Sequence, residues 1–566
     1  MKLQREPTAR QLEIRDAPEL GLLVTAPAGC GKTEALALRI KGLIEQGKVS
    51  YPRRLLVLTF TNRAKENIQE RLREHVDERS IREYVTVHNF HGLSARIIRA
   101  HGNVIGIGEE WQLPLSDWVG EECRKLRLNW KQSNLIRANL QHVKLATITD
   151  EEVRSALVQV NHPTTSLIEQ KRTSEKILTY EDLPRLADLI LQNDHVAELY
   201  REHFCGLVVD EFQDLTPQQL RIVQRIGWRR TTYAGDLAQG IYSFAGADPE
   251  VVLNGISREI QRTITFAESH RSSPSVLNLV NAMIPWTGGV ELAPAAGKLW
   301  PGDGLATYKE FDRQADEADW VISFCRALLK RAPNQRVGVL SRTKKRREVL
   351  DNRLEEGADL SWHRWDDPVF DSSTAPVMRG LLGRLRVSEY SNADEPISYL
   401  ASLIHVKEPH DPSTLELVQA GLEWIADLLQ EGTPVEAIRQ RIRFGDGETL
   451  LTVPGVHLLT GHTGKGQQFD WVVVLGLEEG SIPAFQAESD EAITEEARIL
   501  SVMMSRARHG VITTRTEVTL KPWGDEVEVL PSRFIQNLEC AEHYVKWEDA
   551  KIWLNGADWE AIQSMS

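Results

Sequence analysis

The stretch that most constrains this chain is Ala26-Pro27-Ala28-Gly29-Cys30-Gly31-Lys32-Thr33. It follows a short apolar run, Leu22–Thr25, and precedes a segment in which Leu36, Ile40, Leu43 and Ile44 fall on one helical face. A strand, a glycine-rich turn and a helix N-terminus in that order make a cradle for phosphate. Small residues let successive backbone N–H groups turn inward, and the helix end adds partial positive charge. The spacing [AG]xxxxGK[ST] lets Lys32 reach β- and γ-phosphates and lets the Thr33 hydroxyl sit on Mg²⁺. A chain built around such a loop is expected to be α/β, with its chemistry on loops at the carboxyl ends of parallel strands.

Further apolar runs read as buried parallel strands: Leu55–Phe60, Leu207–Val209, Thr231–Ala234, Thr263–Phe266, Val337–Leu340, Val472–Leu475 and Val511–Thr514. A length of 566 residues suggests several domains. Two stretches break the strand–helix alternation. Residues 93–185 are helical in pattern and dotted with Trp111, Trp118 and Trp130. Residues 366–450 are helical too, interrupted at His410-Asp411-Pro412 and Gly445-Asp446-Gly447. The expected organisation is one α/β core from 1–92 and 186–272, a second from 273–365 and 451–566, and a helical insertion in each.

The run Leu207–Val209 ends in Asp210-Glu211. An apolar strand ending in two acids suits a metal-holding Asp210 and a Glu211 that orients and polarises an attacking water. The five cysteines are scattered without a CxxC pair, which argues against a disulfide framework, a zinc ribbon or an iron–sulfur cluster. His88 and His91 have HxxH spacing without a third ligand nearby and are not read as a metal site. The N-terminus is polar, and no apolar run nears the roughly 18 residues of a membrane span. A reducing, cytoplasmic setting with no membrane partner is expected. The net charge of −14 requires any nucleic-acid surface to be a local groove.

In sequence order, the motifs resemble those of the UvrD/Rep/PcrA-like superfamily-one DNA helicases. Asp210-Glu211-Phe212-Gln213-Asp214 resembles DEYQD, and Gln11 stands where the family reads adenine. Thr59–Lys65 resembles TFTNKAA, Thr86–Gly92 the T-x-H-x-F element, and Tyr180–Leu183 the FDDL stretch. Gly235–Ala247 resembles GDxxQSIYxWRGA, Ser269–Ser272 NYRS, and Leu340–Thr343 YRT. Thr460–Asp470 resembles T-x-H-x-AKGLEF, and Glu495–Ala507 EERRLxYVxxTRA. The resemblance implies two RecA-like P-loop cores with ATP and Mg²⁺ between them and DNA across the top. It implies ATP-driven movement on single-stranded or tailed duplex DNA, 3′ to 5′. It further implies that Gln239 senses the γ-phosphate and that Arg271 and Arg506, from the second core, neutralise the transferring phosphoryl group. By the same resemblance Thr59, Phe60, Asn62, His88, Phe244 and Thr460 meet the nucleic acid, and His462 links that face to the nucleotide cleft.

The chain departs from the pattern at several positions. Gln468 replaces a ribose-contacting Glu, His270 an adenine-stacking Tyr, and Phe244 a Trp; Pro27 and Cys30 replace small residues of the loop. Cys30 has two readings, a thiol activated by the helix N-terminus or an inert buried one. Arg342-Thr343-Lys344-Lys345-Arg346-Arg347 also has two, a backbone contact or a solvated helix face. Two alternatives stand beside the helicase: a DNA-stimulated ATPase licensing a partner nuclease, similar to the UvrD-like subunits of anti-phage systems such as Gabija, and a scaffold that holds ATP without turnover.

Overall fold

The structure is a computed structural model describing residues 6–114, 117–296, 300–357, 359–365, 369–370, 374–393, 396–404, 412–430, 432–444, 453–520 and 525–565. His410, Asp411 and Gly445-Asp446-Gly447 lie outside the described residues. Six strands form the first sheet: β1 (Leu22–Thr25), β2 (Arg54–Thr59), β3 (Val85–Asn89), β4 (Phe204–Asp210), β5 (Thr231–Gly235) and β6 (Arg262–Thr265). Their order is β3-β2-β4-β5-β1-β6, and every pairing is parallel. All carboxyl ends therefore open on one edge, which gathers the loops after β1, β4 and β5.

A short pair, β7 (Glu268–Ser269) and β8 (Ala293–Pro294), leads out of this core. The second sheet holds β9 (Leu305–Arg313), β10 (Arg336–Ser341) and β11 (Trp362–Arg364). After a two-residue pair, β12 (Val369–Phe370) with β13 (Arg443–Phe444), it continues with β14 (Gly455–Thr460), β15 (Phe469–Leu475), β16 (Ala507–Leu520), β17 (Glu526–Glu528) and β18 (Tyr544–Lys546). The order is β11-β14-β10-β15-β16-β9-β18, all parallel, with β17 antiparallel on β16. Both central strands β4 and β15 are buried at every residue. Such burial of branched side chains contributes about 1.5–3 kcal/mol each.

The helices between β3 and β4 divide between two cores. Leu93, Ile97 and Ile98, with Leu183, Leu186 and Ile190, pack against Leu56, Leu58 and Leu207 of the first sheet. A separate small core runs from Trp118 to Ile168. The boundary expected at 93 thus falls inside a helix, Phe90–His101, whose apolar face belongs to the sheet. Between β11 and β14, a third cluster from Phe370 to Ile442 has its own core around Met378, Leu422 and Ile425. Among the described residues, no helix is long and apolar enough to cross a membrane.

Candidate nucleotide cleft and nucleic-acid face

The phosphate loop leaves β1 at Ala26, whose N–H donates to the Gly235 carbonyl on β5 (2.9 Å). Ala26 and Pro27 are buried and Ala28 is half-buried. Gly29 and Gly31 sit at φ +84° and +80°, where a side chain would be strained. Space is tight as well, most of all at Gly29. A Cβ on Gly29 would lie 2.7 Å from the Arg271 Cβ, and one on Gly31 2.8 Å from the Gln11 Nε2. The loop then enters α2 (Lys32–Glu45), with Thr33 half-buried in its first turn.

Gln11 belongs to α1 (Ala9–Asp16) and shares a capping box with Thr8; its Nε2 donates to the Gly31 carbonyl at 3.5 Å. The helix is held by Arg39 of α2, a fully buried side chain unsingled in the sequence. Its guanidinium donates to the carbonyls of Ile14 (3.3 Å), Ala17 (2.5 Å) and Glu19.

Lys32 reaches the acids at the end of β4: its Nζ is 2.5 Å from Glu211 and 3.5 Å from Asp210. Burial alone would lower the Lys32 pKa, but the two carboxylates outweigh it and hold the ammonium above its ordinary value. Burial works against Glu211 ionising, yet Lys32 and then Lys465 pull it down to about 2. Burial raises Asp210, with Lys32 opposing and Glu211 reinforcing. From Glu211 a hydrogen-bond chain crosses the cleft. Gln213 Nε2 donates to Glu211 (2.5 Å), Asp236 N–H to Gln213 Oε1 (3.1 Å), Gln239 Nε2 to Asp236 (2.8 Å), and Arg506 to Gln239 Oε1 (3.4 Å).

Arg506 follows the helix Asp490–Met504 of the second core and also donates to Val502 and Ser505. Burial lowers it to about 10, against the pull of Glu211 and Asp236. Arg271 sits on the crossing segment between the cores rather than within the second core. Its neighbours stitch it to both: His270 N–H donates to the Gly29 carbonyl (3.0 Å), while the Ser272 hydroxyl and Ser273 N–H donate to the Ala507 and Arg508 carbonyls. Burial and the nearby Arg506 lower Arg271 to about 9. Its Nε is buried without a hydrogen-bond partner. An unmatched guanidinium donor beside a loop whose two glycines sit at positive φ, with Lys32 of that loop at the Asp210 and Glu211 acids, suits a Mg²⁺-bound nucleotide. Gln468 is exposed, one residue before Phe469, whose N–H donates to the Arg506 carbonyl.

Cys30 resolves to the inert reading: it is fully buried, and burial pushes its thiol up to about 12. The basic run is mostly neither a backbone contact nor a solvated face. Arg346 is buried between Glu317 (2.6 Å) and Glu478 (2.5 Å), Arg347 pairs with Asp351 (2.8 Å), and Arg342 with Glu496 (2.8 Å). Lys344 and Lys345 stay exposed because the helix turns its 346, 347, 350 and 354 positions inward.

Four rings meet on the edge above the cleft. Phe60 lies 5.3 Å from Tyr242, Tyr242 5.8 Å from Phe244, and Phe244 5.2 Å from His462, edge to face. Phe244 is 64% exposed. His462 Nε2 is 3.2 Å from the Ile241 carbonyl, joining the second core to the first, and burial followed by Arg342 lowers it to about 4. Thr460 ends β14, its N–H donating to the Thr463 hydroxyl (2.8 Å). His88 is half-buried on β3, in register with Leu58. Thr59 departs from expectation. It is fully buried with its hydroxyl donating to the Thr61 carbonyl (3.1 Å), so it shapes the turn after β2. Asn62 begins the helix Asn62–His75; its side chain lies outside the described residues.

Comparison with known proteins meets this geometry. The UvrD/REP helicase N-terminal domain matches residues 8–258, and the UvrD-like helicase C-terminal domain matches residues 416–517. The chain belongs to the UvrD/REP helicase family. It is similar to the ATP-dependent DNA helicase UvrD2 of Mycobacterium tuberculosis (strain ATCC 25618 / H37Rv), 26% identical over 94% of this chain and 81% of that protein. It is also similar to DNA helicase II of Escherichia coli (strain K12), 25% identical over 94% of this chain and 88% of that one. ATP-dependent DNA helicase PcrA of Leuconostoc citreum is 26% identical over 94% and 84%. For a UvrD/REP-family chain, three contributors had no role assigned from sequence: Tyr242, Asp214 and Lys465. Each lies inside a quoted motif, so the signal was present as position and lacked a partner.

Proposed function

We propose that this chain is an ATP-driven helicase or translocase on single-stranded DNA, moving 3′ to 5′ as the family resemblance implies. The observation that carries the reading is the meeting of Arg271 and Arg506 with the Lys32–Glu211 crevice. Arg506 is joined to Glu211 through Gln239, Asp236 and Gln213, and Arg271 packs on Gly29.

Asp210 and Thr33 would hold Mg²⁺, which would supply charge that screens the phosphoryl group of bound ATP. Lys32 leaves its resting pair with Glu211 to face phosphate, which frees that carboxylate to orient water. The Glu211 carboxylate, ionised while it pairs with Lys32, then has a free oxygen with which to orient and polarise the attacking water. Gln11 reads the adenine edge, and His270, in place of the family's Tyr, flanks it. Arg271 and Arg506 lose less to solvent because they are buried, and such arginines are worth about 10³–10⁵ in rate. The rings of Phe60, Tyr242 and Phe244 accept stacked bases of any sequence, at about 1–3 kcal/mol per base.

The test is ATP hydrolysis with single-stranded DNA, duplex and RNA, then unwinding of duplexes tailed at either end. Stimulation by single-stranded DNA that Lys32→Ala abolishes is expected, with unwinding from the 3′ tail. Turnover indifferent to nucleic acid would sink the motor reading. Unwinding that appears only with an added nuclease would favour the licensing ATPase.

A further inference from the structure

The amino edge of the first sheet, opposite the nucleotide cleft, gathers arginines. Arg54 opens β2, Arg230 immediately precedes β5, and Arg201 lies in the last turn of the helix Asp194–His203, which leads into β4. Both β2 and β5 pair with β4 in parallel, so the three entry segments lie side by side. From either side, Arg53 and Arg230 donate to the same two carbonyls, those of Arg201 (3.0 and 3.4 Å) and Phe204 (3.4 and 3.0 Å). Arg54 donates to the Arg82 and Val85 carbonyls (2.7 and 2.6 Å). Arg201 pairs with Glu198 (2.7 Å), whereas Arg53, Arg54 and Arg230 form no ion pair among the described residues. Burial and then Arg53 lower the Arg230 pKa, as crowded cations require. The carbonyl ends of two helices, Asp194–His203 and Pro217–Gly227, offset about half a charge each. A net positive patch remains on a chain whose total charge is −14. Aromatic side chains accompany it: Tyr51, two residues before Arg53, is 72% exposed, and Trp228, two before Arg230, is 46% exposed.

We propose that this edge is a docking surface for an acidic, partly apolar peptide segment of a partner protein. Guanidiniums tied to main-chain carbonyls are held in place before binding, so little freedom is lost when a carboxylate pairs with them. Arg, Trp and Tyr are also the residue types that carry most of the energy in protein interfaces. A nucleic-acid strand fits less well. Its charge falls on every unit, and here it would meet Glu198, the exposed Glu202 and two helix carbonyl ends. A peptide can set carboxylates on the arginines and apolar side chains on Tyr51 and Trp228. The proposed nucleic-acid face lies at the other ends of the same strands, and β4 separates the two edges by about 20 Å. A partner held here leaves the cleft and the aromatic face open.

Binding is measured by fluorescence anisotropy on the full chain with a fluorescein-labelled peptide of repeated Glu-Glu-Leu units, beside a Lys-Lys-Leu peptide and a single-stranded DNA competitor. The acidic peptide is expected to bind, the basic one not, with affinity falling as salt rises. Arg53→Gln combined with Arg230→Gln should weaken binding about tenfold or more, and Trp228→Ser about threefold or more. ATP hydrolysis, with and without DNA, should stay within about twofold of the unsubstituted chain, because the patch is distant from the cleft. If thermal unfolding shows that the arginine pair does not fold, Trp228→Ser and Tyr51→Ser, both at exposed side chains, decide the matter. Absence of acidic-peptide binding or equal binding by folded variants would overturn the proposal. Full displacement by DNA would do so too, in favour of a nucleic-acid strand. Sedimentation velocity tests a second copy as occupant: self-association abolished by the same substitutions would also overturn the proposal.

Discussion

Glu211 sits at φ 56° and ψ 49°, left-handed backbone for a residue that is not glycine. Such a conformation costs about 1–3 kcal/mol and persists only where the surroundings enforce it. Here the buried strand before it and the Lys32 pair do so, and the carboxylate is aimed into the cleft. Glu211→Gln keeps the shape and removes the carboxylate proposed as the base. Hydrolysis should fall about 10²–10⁴-fold, with ATP affinity retained, as single-turnover rates beside equilibrium nucleotide binding will record; near-normal turnover would refute the assignment. Arg506→Ala should also cost hydrolysis far more than ATP affinity, and equal loss of both would point to misfolding. The residue types of this site were legible because phosphate chemistry restricts them. Lys465, which pairs with Asp214 (2.6 Å), was not, since a lysine becomes informative only when its partner is known. Arg342 and Arg346 of the basic run misled for the same reason: their acids, Glu496, Glu317 and Glu478, lie far off in sequence.

The helix α1 depends on α2 through one side chain. Replacing Arg39 by Leu leaves the carbonyls of Ile14, Ala17 and Glu19 without their donor. The expected loss is about 2–4 kcal/mol, read by chemical denaturation. The KM for ATP should rise more than kcat falls, because Gln11 rides on the loosened helix. An unchanged KM would separate α1 from nucleotide binding. Among strands, those made of unbroken apolar runs were read from sequence within a few residues. Others were missed for identifiable reasons. Half of β9 is charged or solvated, from Lys309 to Arg313. In β14 a histidine interrupts the run, and His457 is nevertheless fully buried, accepting from Trp365 Nε1 (2.9 Å).

The first helical insertion is tied to its sheet by a buried charge network. Asp182 faces Lys144 (3.1 Å), Arg172 (3.2 Å) and Arg185 (2.7 Å), and Glu169 joins Lys144 and Arg172. Opposing its burial, these cations hold the Asp182 carboxyl well below the usual range. Asp182→Asn leaves three cations with less anion than they need, at about 3–5 kcal/mol. Urea unfolding should show that loss, and a change under about 1 kcal/mol would mean that water or Glu169 replaces the lost charge.

What this chain is made to hold was settled by its order of residues: a phosphate loop, two acids after an apolar strand, and arginines at spaced positions, because a triphosphate accepts few alternatives. Which distant groups face one another was settled by the fold alone. Lys465 against Asp214, Arg39 under α1, Thr59 turned inward and Cys30 sealed from solvent all follow from how two sheets and their loops pack. Local sequence carries propensity and periodicity, whereas burial and long-range pairing exist only once the cores have met.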